Sequence, residues 1–112
     1  MCYGLSFAMR NPNGFNMNKL EYFGKVIKVV KEMMYVTDKD ILGKSRSYEI
    51  VDARWMTAFL MHEKGYSSKQ IAMLMLRPMR TINHALNLFP KRAKSFSLGN
   101  TLAIARQMLG SN

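Results

Sequence analysis

Two short helical patterns joined by a tight turn, within Ser67–Phe89, are the strongest constraint on how this chain can fold. Ser67 begins the first pattern as an N-cap, and Gln70 stands three residues later, where its side chain can bond back to the cap backbone. Met75–Arg77 separates the two patterns and is short enough to make the helices cross. The spacing therefore predicts a helix-turn-helix.

The second pattern has one apolar face and one polar face. We expect it to begin at Pro78, whose fixed φ suits a first helical position, and to end before Pro90. Its apolar stripe recurs with helical spacing at Ile82, Ala85, Leu86 and Phe89. The other face of this helix is polar, and Arg, Thr, His and Asn side chains such as it carries can donate hydrogen bonds to phosphates and to base edges. That face carries Arg80, His84 and Asn87, with Thr81 and Asn83 on its flanks.

The positive charge of the chain is large and unevenly distributed. The net charge is +10, and seven Lys or Arg residues but no Asp or Glu lie between Lys64 and Lys94. Such a bias attracts polyanions, nucleic acid first and an acidic membrane surface second. A polar helix face is also the ordinary solvated surface of a small helical domain, so periodicity alone leaves both interpretations open.

Length and composition favour one globular domain without catalytic chemistry. The 112 residues suit a single core, and no apolar run reaches the ~20 residues of a membrane span. Gly43–Ser45 resembles the end of a phosphate-binding loop, but Asp38 stands where that motif needs glycine. Two histidines and the single Cys2 are too few for a zinc site, and the lone cysteine fits a reducing compartment. We predict no enzyme, no cofactor, no metal ion and a cytoplasmic location.

The rest of the chain also has helical periodicity, which predicts an all-α fold of five or six helices. Residues 1–17 have no period and are expected to form a flexible N-terminal arm, with the domain at residues 18–110. Besides the helix-turn-helix, the predicted helices are about 19–34 (with Asn18 as cap), 38–42, 48–63 and 98–109. The first of these should bury Leu20, Phe23, Ile27, Val30 and Met34. The expected shared core is Trp55, Phe59, Ile71, Ile82 and Leu86.

Several local strings resemble a known family. The segment Asp40–Leu60 carries Arg46 in a basic loop and Arg54 eight residues later. The helix-turn-helix segment adds Ser67, Ile71, Arg77, Thr81, Ile82, His84 and Ala85. Together, from about residue 19 to about residue 110, these strings resemble the C-terminal DNA-binding domain of the bacterial replication initiator DnaA.

The resemblance implies a double-stranded DNA binder. In that family the recognition helix, here about 78–89, lies in the major groove, and the basic loop, here 44–47, reaches the minor groove through an arginine at the place of Arg46. Backbone amides at Ser68 and Lys69, at a helix N-terminus, would hold a phosphate. The residues expected to bind DNA are Lys44, Arg46, Arg54, Ser68, Lys69, Arg77, Arg80, Thr81, His84, Lys91 and Arg92.

The departures from the family concern its base-reading residues. Pro78, Met79 and Arg80 replace an Asp, a His and a Thr of the family signature, and the turn lacks the family's glycine pair. We therefore expect a target different from the initiator's, and a stand-alone relative, since the ATPase domain is not among these residues.

The alternative is a basic adaptor that binds an acidic protein or an anionic lipid surface. RNA binding is less favoured because the face lacks a stacking aromatic platform. The arm is a second place where a protein partner would bind.

Overall fold

The computed structural model describes residues 17–44 and 47–110. Within these ranges every regular element is a helix, which confirms the all-α prediction. The six helices are α1 (Met17–Met34), α2 (Asp38–Leu42), α3 (Tyr48–Glu63), α4 (Ser68–Met75), α5 (Met79–Arg92) and α6 (Phe96–Gly110). The predicted arm up to residue 16, with Cys2, and Arg46 of the basic loop lie outside the described residues.

Two helices begin with reciprocal side-chain caps. At α4, the Ser67 hydroxyl accepts a bond from the Gln70 amide and the Gln70 side chain accepts one from the Ser67 amide, each at 3.1 Å. Thr37 and Asp40 make the same exchange at α2, each bond at 3.0 Å. Both caps satisfy backbone donors that a helix N-terminus otherwise leaves unpaired. The predicted cap at Ser67 is therefore confirmed.

The starts of α1 and α6 differ from the prediction. α1 begins at Met17, so Asn18 lies inside the helix and is not its cap. α6 begins at Phe96, two residues before the predicted start, and the Gly99 amide bonds to the Ser95 carbonyl at 2.9 Å. Helix ends are set by hydrogen bonds of the first turn, which the side-chain period does not record.

The central helix is α3, which packs against α1 on one side and α5 on another and also contacts α2 and α4. Its buried side chains are Ala53, Met56, Thr57, Ala58, Leu60 and Met61. Thr57 is fully buried, and its hydroxyl donates to the Ala53 carbonyl at 2.8 Å, so the polar group is satisfied. Because α3 is packed against several other helices, it provides a fixed surface against which α5 packs.

The predicted core is correct in part. Ile71 and Ile82 are buried, whereas Trp55, Phe59 and Leu86 are only partly buried and pack against the core. Phe89 is fully buried instead, with its ring 5.1 Å from that of Phe59. On α1 the buried residues are Val26, Val29 and Val30, while Leu20 of the predicted stripe is exposed. The α6 face formed by Leu98, Leu102, Ala105 and Leu109 is buried.

None of the helices in the described ranges is both long enough and apolar enough to span a bilayer.

Candidate nucleic-acid interface

The turn between α4 and α5 closes without glycine. Leu76 ends α4 in the left-handed conformation, with φ 58° and ψ 45°, and its amide bonds to the Ala72 carbonyl. The Arg77 amide bonds to the same carbonyl at 2.9 Å. The Leu76 side chain is 72% exposed, so nothing in the core requires it. Two backbone hydrogen bonds therefore stabilise the turn, although the φ of Leu76 is unfavourable for a residue with a Cβ atom.

The helix that was predicted as the recognition helix, α5, is longer than predicted and starts later. Pro78 is the N-cap in an extended conformation and not the first helical residue, and its carbonyl accepts bonds from the Thr81 and Ile82 amides at 3.0 and 3.2 Å. Pro90 lies inside α5, which continues to Arg92. The helix persists past this proline because the Ala93 amide still bonds to the Phe89 carbonyl at 2.8 Å and Arg92 is held by α3.

The two faces of α5 are as the sequence predicts. Ile82, Ala85 and Phe89 are buried against the core, and Leu86 is partly buried. The outward residues are all exposed: Arg80, Thr81, Asn83, His84 and Asn87. We call these five residues the polar face of α5. His84 is the one of them that contacts another ring among the described residues, since its imidazole meets the Trp55 indole edge-on at 5.8 Å.

Arg92 anchors the end of α5 to α3. Its Nε donates to Asp52 Oδ1 at 2.6 Å, and its Nη2 is also paired with that carboxylate. The guanidinium lies over the rings of Trp55 and Tyr48, 5.6 and 5.9 Å from their centres. Arg92 was predicted as a DNA contact, and what the structure shows is that it joins the end of α5 to Asp52 of α3. Lys91, the residue before it, is exposed.

Arg54 joins α3 to the end of α2. Its Nε donates to the Ile41 carbonyl and its Nη2 to the Asp40 carbonyl, both at 3.0 Å. Burial lowers the pKa of this guanidinium, the nearby charge of Arg77 lowers the pKa further, and Asp40 acts in the opposite direction. Two predicted DNA-binding arginines are therefore close enough to repel each other.

Arg54 and Arg77 share a cavity between α3 and α5. Its volume is about 230 Å³. The Nη2 atom of Arg77 is shielded from solvent and has no hydrogen-bond partner among the described residues. The lining residues are Val51, Arg54, Trp55, Ala58, Met75, Arg77, Pro78, Thr81, Ile82 and Ala85. Of the predicted DNA-binding residues, the structure brings together Arg54, Arg77 and Thr81 at this cavity.

The other predicted residues in the described ranges lie on separate parts of the chain and do not line this cavity. Lys69 is exposed and Ser68 partly buried in the first turn of α4. Lys44, exposed, follows α2 at the described edge of the basic loop. Among the described residues, no hydrogen bond or ion pair joins Lys69 or Lys44 to the polar face of α5.

Trp55 is a residue of this surface that the sequence analysis assigned to the core. It stands between His84 and Arg92 and lines the cavity. One sequence signal pointed to this position: Asp52 precedes Trp55 by three residues, so a charged group and the indole share one face of α3. A helix face carrying a carboxylate is seldom wholly buried.

Within residues 17–44 and 47–110, no three His, Cys, Asp or Glu side chains lie together as a possible set of metal ligands.

No family model, no curated protein and no solved structure matches this chain. A function for it therefore has to rest on the geometry and charge of the surface described above.

Proposed function

We propose that this protein binds double-stranded DNA through the helix-turn-helix formed by α4 and α5, with α5 in the major groove. One observation carries the proposal. The polar face of α5 presents donors and a cation to solvent, while the opposite face of the same helix is buried in the core. Because the buried face holds α5 in the core, the polar face can contact a partner without disturbing the fold.

The dimensions of α5 suit a groove. Its 14 residues span about 21 Å at 1.5 Å per residue. The major groove of B-DNA, about 12 Å wide, admits an α-helix. Arg80 and Thr81 lie in the first turn of α5, the end of a recognition helix that meets base edges. A guanidinium at Arg80 can bond bidentately to guanine, and the Thr81 methyl can meet a thymine.

The surrounding cations would supply the affinity that does not depend on sequence. Lys69, Lys91 and Lys44 are exposed on three different elements, so they can reach phosphates on both sides of a groove. The resemblance to the DnaA DNA-binding domain extends the proposal to Arg46, as a minor-groove contact. Arg46 would favour a narrow, A·T-rich minor groove through its charge. The expected site is then a specific G beside an A·T-rich segment.

The test begins with selection of bound duplexes from a random pool, followed by affinity measurements on the selected site and on a scrambled duplex. Arg80→Ala should cost about 1–3 kcal/mol on the selected site and much less on the scrambled duplex. Lys91→Ala is the matched control, because Lys91 is exposed on the same helix. It should weaken both duplexes about equally. Arg92 is unsuitable as the control, since its loss would release the end of α5 from Asp52.

Equal losses for Arg80→Ala on the two duplexes would reject base reading by this residue. A pool that yields no preferred duplex would reject sequence-specific binding altogether. The adaptor for an acidic protein or an anionic lipid surface would then become the better interpretation of the charge.

A further inference from the structure

The cavity between α3 and α5 is lined by polar, positively charged groups and by apolar side chains. Arg54 and Arg77 supply guanidinium groups, and Thr81 supplies a hydroxyl. The remaining walls are apolar and include the Trp55 indole, Ala58 and Ile82. Small-molecule sites in proteins have this composition: mostly apolar walls with a few placed polar groups.

The described lining of the cavity is basic and has no acidic side chain. On the Arg77 side, Nη2 is buried and has no acceptor within the described residues. A buried donor without a partner costs free energy, and a bound anion would remove that cost.

We propose that this cavity is a binding site for a small organic anion, a carboxylate carried on a single ring or a short branched apolar body. The carboxylate would accept from Arg77 Nη2, and the apolar body would lie against Trp55 and the alanines. An apolar cavity of about 150 Å³ holds benzene, so the 230 Å³ found here leaves room for a ring with a carboxylate. This goes beyond the proposed DNA binding and does not depend on it.

The test uses benzoate and the full chain, without DNA. Trp55 is the only tryptophan, so its fluorescence reports directly on the cavity wall, and calorimetry checks the stoichiometry. We expect saturable binding of one benzoate per chain. Benzamide has the same shape without the charge, and inorganic phosphate has charge without the ring. Both should bind at least about tenfold more weakly, because each lacks one of the two interactions.

Two variants locate the site. Arg77→Gln should weaken benzoate binding by about tenfold or more, since it removes the charged donor. Arg80→Gln is the matched control, because Arg80 is an exposed arginine three residues after Arg77 and does not line the cavity. Its benzoate affinity should equal that of the unaltered chain. Thr81→Tyr, at an exposed position on the cavity wall, should block entry even if Arg77→Gln fails to fold.

Absence of saturable benzoate binding would overturn the proposal, as would equal affinity in Thr81→Tyr and the unaltered chain. Phosphate binding as tightly as benzoate would overturn it too, because the apolar walls would then contribute nothing. None of these results bears on duplex selection, so the two proposals fail separately.

Discussion

At the scale of single residues, Leu76 carries a conformational cost; it and Tyr35 are the non-glycine residues with a positive φ in the described part of the chain. Leu76 has a positive φ and an exposed side chain, so its Cβ is a source of strain that no core contact offsets. Leu76→Gly should therefore be more stable than Leu76→Ala by about 1 kcal/mol, because alanine keeps the Cβ and glycine does not. Chemical denaturation of both variants measures this difference. Alanine equal to or better than glycine would mean that the turn relaxes out of the left-handed region.

Tyr66 predicts a pH dependence of stability. Its side chain is 3% exposed, and its hydroxyl donates to the Lys19 carbonyl. Burial, with a smaller effect of Tyr22, raises the pKa of Tyr66 to about 12. A raised pKa means that the folded state holds this proton more tightly than the unfolded chain. The contribution to stability is then complete below pH 10, the ordinary pKa of tyrosine, and is lost as the pH rises towards 12.

Denaturant unfolding across this pH range checks the effect. The unaltered chain should lose stability relative to Tyr66→Phe as the pH rises, because phenylalanine cannot ionise. Tyr35→Phe is the control, since Tyr35 is 93% exposed, and it should follow the unaltered chain. Parallel curves for the unaltered chain and Tyr66→Phe would contradict the assignment.

At the scale of helices, two glycines occupy opposite environments. A Cβ at Gly24 in α1 would meet no atom within 4 Å, whereas a Cβ at Gly99 in α6 would stand 2.5 Å from the backbone carbonyl oxygen of Ala93. Alanine is the better helix former in both places, so Gly24→Ala should stabilise the protein by about 0.5–1 kcal/mol. Gly99→Ala should destabilise it, because a backbone oxygen cannot move aside as a flexible side chain can. Thermal melts of the two variants should shift in opposite directions.

The entry into α6 depends on this close approach. The Ala93 carbonyl passes over Gly99 where the chain turns from α5 to α6. If both alanine variants raised the melting temperature, the turn would have to be looser than the structure shows.

At the scale of the whole molecule, the net charge of +10 sets how binding should respond to salt. Each phosphate contacted releases counterions, so the logarithm of duplex affinity should fall linearly with the logarithm of salt concentration, by about 0.9 per contact. Lys91→Ala should reduce this slope by about 1 if Lys91 contacts one phosphate. Titrations at several salt concentrations measure both slopes. A flat dependence would contradict contact with several phosphates and favour the adaptor.

The sequence by itself determined several features that depend on neighbours three or four residues apart. The capping exchange at Ser67 and Gln70, the bounds of α3, the buried stripe of α6 and the two faces of α5 all appear as predicted. These features follow from the helical repeat and from side chains that reach their own backbone, so the local pattern contains the necessary information. The all-α class follows from the same repeat.

Only the tertiary structure decided which side chains meet across the molecule. Arg92 pairs with Asp52, 40 residues away, and this pairing gives a predicted DNA contact a second role in holding α5. Trp55 is half-buried and contacts His84, and on α1 Val26 and Val29 are buried together with the predicted Val30. Each outcome depends on where another helix lies. A helical period fixes the faces of one helix, but it does not state which neighbour covers each face or how closely the two backbones approach.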